Sequence, residues 1–224
     1  MNRGVLWLAA WSALVLGPVD CRAEAPAVER LQKFVATDFY KQLLTNLLSA
    51  LPPAVYQHCP ALQSNGSHVT ILTSLSFGPN GFPTAGAWKQ AFPVSGCGND
   101  TVLNFYFAGR EGEKISTIVG APGATIADLV LQRDAQRYAL IGAGRLAKDC
   151  EKFDVVNTRF EAYGLKDPET VDPGRDDPLR PWWETWTVAG CGRTFDVQLD
   201  FAPDKTGTQI IQPDSGLNER QPRP

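Results

Sequence analysis

Hydrophobic and polar positions alternate along much of this chain, with helix-spaced stretches between. Leu31, Phe34, Val35, Phe39, Leu43, Leu47 and Leu51 recur three or four residues apart, which predicts an amphipathic helix over 28–51, ended by Pro52-Pro53. From His68 to Phe77 the period changes to two, with Val69, Ile71, Leu75 and Phe77 on one face of a strand. Gly78-Pro79-Asn80-Gly81 then predicts a reversal. A returning strand over 87–95 places Trp88, Phe92 and Val94 together, with Pro93 marking an edge or irregular position. Strands follow over 101–108 and 114–119.

Gly120-Ala121-Pro122-Gly123 reads as a join, after which the order repeats. Thr125 and Asp128 have the spacing of a capping box for a helix running toward Asp149, with Gly142 and Gly144 weakening its centre. Strands are expected over 153–163, 182–189, 193–201 and 206–211. In the third of these Phe195, Val197, Leu199 and Phe201 alternate with polar neighbours. The polar, proline-rich end from Gln212 has little to bury and is expected to be mobile.

One phrase occurs twice: Phe92-Pro93-Val94-Ser95-Gly96-Cys97-Gly98 and Trp186-Thr187-Val188-Ala189-Gly190-Cys191-Gly192. Aligned on Gly-Cys-Gly, Trp88 matches Trp182, Phe92 matches Trp186 and Val94 matches Val188. The expected fold class is therefore α+β, with two homologous units in pseudo-twofold arrangement over 24–120 and 121–212, followed by a tail over 213–224. Each unit is a helix followed by an antiparallel sheet of three to four strands.

Composition changes this picture at the ends. Arg3 followed by the uncharged run Val5 to Leu16 reads as an export signal, cleaved after Ala23, and too short to span a bilayer. Cys21 lies in a poor match to a lipid-attachment sequence. Removing the signal takes the net charge from −3 to −4, and no Lys and Arg cluster stands out in the sequence, which argues against nucleic acid or an anionic membrane as the main partner.

Export leaves Cys59, Cys97, Cys150 and Cys191, an even number that reads as disulfides in an oxidising compartment. Of three possible pairings, the duplication selects one bridge per unit: Cys59 with Cys97 and Cys150 with Cys191. Closing loops of this length restricts the unfolded chain by about 4 kcal/mol each.

Candidate chemistry is sparse. His58 and His68 lack metal-ligand spacing and no Cys-x-x-Cys pair occurs, so neither a metal nor a cofactor is expected. Residues 172–177 lack the spacing of a calcium loop. Nucleophile elbows and phosphate-binding loops are also absent. Asn65-Gly-Ser67 and Asn99-Asp-Thr101 fit a glycosylation pattern.

Differences between the copies mark the candidate binding site. The second hairpin connection is eight residues longer than the first, and the insertion carries Arg175, Asp176, Asp177 and Arg180. Trp183 replaces Lys89 on the outward side of its strand, where it either contacts a partner or a sugar ring, or is covered by a neighbouring element. Glu184 has inward parity unless the strand end is open, and its counterpart in the first copy is Gln90, so Glu184 reads first as a polar rim residue. A carboxylate at 184 with a raised pKa has the chemistry of a glycosidase acid.

With Cys59-Pro60, Cys150, Val-Ser-Gly-Cys-Gly and Val-Ala-Gly-Cys-Gly in view, the chain resembles tandem repeats of exported bacterial proteins that carry an upstream Cys and a Val-x-Gly-Cys-Gly phrase. That resemblance implies export and the disulfide pattern and carries over no catalytic residue. The Val-x-Gly wedge of cystatin-type inhibitors is a looser likeness, in which Phe92 and Trp186 stand where the wedge begins with Gln. The expected function is that of a non-catalytic periplasmic or secreted interaction protein with an envelope or extracellular protein partner. The alternative is an envelope glycan hydrolase using Glu184.

Overall fold

The structure, a computed structural model, describes residues 24–49, 51, 63–64, 66–96, 100–112, 114–164 and 179–220. The export signal, Cys21, Cys59, Cys97, both glycosylation asparagines and residues 165–178 lie outside the described residues. Among the described residues two antiparallel sheets and three α-helices give an α+β fold.

The expected single helix over 28–51 is two: α1 (Glu24–Val35) and α2 (Asp38–Ser49). Thr37 makes the break. Its hydroxyl donates to the Phe34 carbonyl at 2.7 Å and accepts from the Tyr40 amide at 3.3 Å, capping α2 with a new phase. The consequence is that Tyr40, not the expected Phe39, enters the core, fully buried while Phe39 stays half exposed.

The first sheet contains β1 (Gln63–Ser64), β2 (His68–Phe77), β3 (Pro83–Ser95), β4 (Thr101–Arg110) and β5 (Lys114–Val119). β1 and β2 share one side of β3, and β4 and β5 follow on the other. Pro93 sits in a central strand, but at the point where the partner of β3 changes from β2, which ends its pairing at Ala91, to β1, which begins at Val94. The Asn80-Gly81 turn forms as expected: Gly81 has φ 83° and Asn80 accepts from the Phe82 amide at 3.2 Å. Leu31, Phe34, Tyr40 and Leu47 pack with Trp88, Leu103, Phe105 and Phe107.

The helix α3 (Leu129–Leu146) opens the second half. Asp128 itself is the cap, accepting from the Val130 and Leu131 amides at 2.9 Å each, and Thr125 only holds the Ala127 amide, so the expected capping box does not form. Gly142 does not interrupt the helix. A Cβ there would come within 2.9 Å of Val197 and 3.0 Å of Leu217, so glycine lets α3 lie close to the sheet.

That sheet runs β6 (Asp154–Tyr163), β7 (Trp182–Gly190) and β8 (Arg193–Pro203), with β9 (Thr208–Ile211) and β10 (Leu217–Glu219) sharing the far edge of β8. The tail expected to be mobile from Gln212 is therefore ordered as far as Arg220. Leu217 packs against the core, the Arg220 amide donates to the Thr194 carbonyl at 2.8 Å, and its guanidinium pairs with Asp196 at 2.6 Å. Phe195, Val197, Leu199 and Phe201 are all fully buried beneath α3. Each such side chain contributes about 1.5–3 kcal/mol relative to exposure.

The central hairpins of the two sheets share a register. Trp88 opposes Phe107 as Trp182 opposes Phe201, and Phe92 opposes Leu103 as Trp186 opposes Val197. Both tryptophan–phenylalanine pairs are stacked, with centroids 5.3 Å and 4.8 Å apart.

Residues 120–125 join the halves through polar contacts. Gly120 and Gly123 donate to carbonyls of β4 while Ala124 donates to Thr158 of β6. Buried Asn104 donates to the Ala121 and Gly123 carbonyls at 2.8 and 2.9 Å, and Gln132 accepts from the Ala121 amide at 2.9 Å. Gly123, at φ 102°, has Thr158 backbone 2.2 Å from where a Cβ would be.

Candidate functional site

The second copy of the Gly-Cys-Gly phrase lies within the described residues, and each of its residues has its own reason to be there. A Cβ on Gly190 would lie 2.5 Å from the Phe153 ring and 2.7 Å from the Lys152 carbonyl. Cys191 and Gly192 are the central residues of a two-residue hairpin turn and have φ 50° and 73°, the left-handed pair that a type I′ turn requires. Cys191 is bonded to Cys150 just beyond α3, with Cα atoms 5.8 Å apart, as the sequence predicts. The staple ties the helix end to the hairpin turn. The Cys59–Cys97 pairing lies outside the described residues.

At the opposite end of the second sheet the chain leaves for the long insertion. The Gly164 amide donates to the Pro181 carbonyl at 2.7 Å and closes the base of that loop. Arg180 places its guanidinium 4.4 Å from the centre of the Tyr163 ring, which is 49% exposed. Phe160 meets the same ring edge-on at 5.0 Å, and Leu179 beside them is exposed. A cation over an exposed ring contributes about 0.5–1 kcal/mol, a few-fold bias toward the stacked arrangement of the two groups.

Trp183 is half-buried on the other face. It opposes Ala162 and Asp200, whereas Tyr163 opposes Trp182, so Trp183 and the Arg180–Tyr163 stack flank the sheet end from its two sides. A register irregularity between Phe160 and Ala162 precedes this arrangement. The other insertion candidates, Arg175, Asp176 and Asp177, lie outside the described residues.

The face that carries Trp183 is polar and internally bonded. Thr187 donates to Asp196 at 2.8 Å, Gln198 donates to Asp200 at 2.7 Å, and Thr185 donates to Glu161, which also pairs with Arg159. Glu161 raises the Arg159 pKa from its usual value, chiefly through this hydrogen bond.

Glu184 points inward, as its parity predicts, and is fully buried. Its Oε1 accepts from the Trp182 indole and the Ile126 amide at 3.0 Å each, and its Oε2 accepts from the Trp186 indole at 2.9 Å. Both oxygens are thus engaged by N–H donors inside the protein, and the carboxylate ties the segment ahead of α3 to β7. Glu184 is therefore no rim residue, and its counterpart Gln90 is likewise buried: it accepts from the Tyr40 hydroxyl at 2.6 Å and donates to Ser67 at 3.0 Å. The Trp88 indole donates to that same hydroxyl at 3.3 Å. Burial raises the Tyr40 pKa well above the usual range, against a smaller opposing effect of the indole.

Concave surfaces also lie elsewhere among the described residues. One cleft of about 640 Å³ runs between Val28 of α1 and Ile71, Leu72 and Leu75 of β2. A second, of about 400 Å³, lies between Phe34 and Phe82 with Arg30 and Lys33 at its mouth. Sequence reasoning did not find them, since they arise where separate elements meet. Among the described residues, no three His, Cys, Asp or Glu side chains converge as a metal site requires, and no helix is long and apolar enough to cross a membrane. Comparison with protein-family models, with curated proteins and with solved structures finds no match.

Proposed function

We propose that this chain is an exported, non-catalytic interaction protein of the cell envelope that binds a periplasmic or extracellular protein partner at the insertion end of its second sheet. The observation that carries the reading is the Arg180–Tyr163 stack. An exposed aromatic is held by an arginine at the base of a long connection, the residue types that concentrate binding energy at protein interfaces. Leu179 and Trp183 extend the surface to either side, and the insertion adds the charges of Arg175, Asp176 and Asp177. The formed Cys150–Cys191 bridge supports passage through an oxidising compartment.

In this proposal the two halves are homologous units in pseudo-twofold arrangement, the first carrying a Cys59–Cys97 bridge. The shared hairpin register and the paired stacks of Trp88 with Phe107 and Trp182 with Phe201 support it. The resemblance to exported bacterial repeats points the same way. The alternative, Glu184 as the acid of a glycan hydrolase, has no observation in its favour, because a proton donor must reach its substrate and this carboxylate is enclosed.

The test is cross-linking in native envelopes followed by affinity capture, comparing the unchanged chain with Arg180→Glu and with a deletion of 165–178. Loss of the cross-linked partner in both variants, with melting temperature unchanged, is the expected result. Undiminished capture of the same partner by both would count against the assigned surface.

A further inference from the structure

The outward side of α3 carries a pattern that the second-sheet core does not use. The fully buried positions of this helix are small or amide side chains: Gln132, Ala135, Ala139, Gly142 and Ala143. Leu131 and Leu140 pack partly against that core, whereas the β-branched Val130 and Ile141 point outward and are 66% and 57% exposed. At 100° per residue these two lie within about 20° of one another, diametrically opposite the alanines. Asp134 and Arg137 fall between them, so Val130, Asp134, Arg137 and Ile141 follow the four-three-four spacing of a coiled-coil seam.

We propose that this seam pairs with the same seam of a second copy of the chain, the two α3 helices running antiparallel. Self-complementarity argues for this occupant. When Val130 of one copy meets Ile141 of the second, Asp134 of one necessarily meets Arg137 of the second, and the two-fold axis repeats both contacts. A parallel pair would set Asp134 against Asp134 and Arg137 against Arg137, so charge alone fixes the direction. Within one copy these charges are weakly used: Asp134 has a contact to Arg133 at 3.9 Å, and no ion pair of Arg137 occurs among the described residues.

Sedimentation of the disulfide-bonded chain over a concentration series at low salt tests the pairing, with Asp134→Arg, Arg137→Asp and the double exchange as variants. The unchanged chain is expected to rise toward twice its monomer mass. Each single exchange weakens association at least about tenfold, because the axis counts it twice, and the double exchange restores it to within about threefold. At a concentration below association the four chains melt within a few degrees of one another, since Arg137 is exposed and Asp134 half-exposed. Ile141→Ser, which leaves the charges in place, also weakens the dimer. A monomer at every concentration, single exchanges that dimerise like the unchanged chain, a double exchange that fails to restore pairing, or an undiminished Ile141→Ser dimer would each overturn the proposal.

Discussion

Replacing Glu184 by glutamine separates an anchoring carboxylate from a catalytic one. The exchange keeps shape and volume but turns one acceptor oxygen into a donor. With the amide oxygen in the Oε1 position, the Trp182 indole and the Ile126 amide keep a neutral acceptor. The new NH₂ group then faces the Trp186 indole N–H, donor against donor, in a site with no solvent exposure. An unsatisfied buried donor costs about 1–3 kcal/mol, and the two remaining bonds lose their charge assistance, so a total destabilisation of about 3–5 kcal/mol is expected. Urea denaturation followed by tryptophan fluorescence reads this directly, because Trp182 and Trp186 lie at the site. The conflict should fall away in Trp186→Phe, which removes the opposing donor. Adding Glu184→Gln to that variant should therefore cost about 1–2 kcal/mol less than adding it to the unchanged chain. A Glu184→Gln protein as stable as the parent, or strict additivity of the two changes, would refute the reasoning. Full stability with lost glycan cleavage would instead be the signature of an acid catalyst.

Three further outcomes follow from the same structure. Replacing both Cys150 and Cys191 by alanine should cost about 3–4 kcal/mol in denaturant, and non-reducing peptide mapping should recover these two cysteines joined. Ending the chain at Gln212 should cost about 2–3 kcal/mol, measured by thermal unfolding, since it uncovers apolar surface now packed by Leu217 and leaves Asp196 without Arg220; a mobile tail would make no difference. Asn104→Asp should destabilise by at least about 3 kcal/mol, because the amide nitrogen that serves the Ala121 and Gly123 carbonyls becomes a carboxylate oxygen facing them; an unchanged denaturation midpoint would contradict this.

What the sequence made legible is what period-two alternation encodes. Phe195, Val197, Leu199 and Phe201 are buried as the pattern predicts, and parity alone aimed Glu184 inward. Parity is silent on donors. Ile126, which holds Glu184, is 58 residues away in the chain and reaches it only because Asp128 starts α3 where it does. Likewise β10 spans three residues with one apolar side chain, and it exists because the edge of β8 is there to pair with. The break at Thr37 was hidden because the three-and-four spacing continues across it, while a single side-chain cap resets the phase. The candidates read from the sequence omit Tyr163, because only the antiparallel register brings it to the sheet end, on the face opposite Trp183.

The Gly-Cys-Gly phrase shows why a short motif can nonetheless carry much of an architecture. In its second copy three independent demands fall on consecutive residues: no side chain where Lys152 and Phe153 approach, a sulfur within reach of Cys150, and left-handed backbone at both turn positions. A left-handed conformation at a residue other than glycine costs about 1 kcal/mol, and Cys191 adopts it. The bridge contributes several times that, so the turn and the staple hold as a pair. Shifting the cysteine by one position would break that pairing. At 190 it would strike the Phe153 ring, and at 192 it would leave the direction that faces Cys150. The spacing from Trp182 through Trp186 and Val188 to Cys191 is therefore set by packing on one side and by turn geometry on the other.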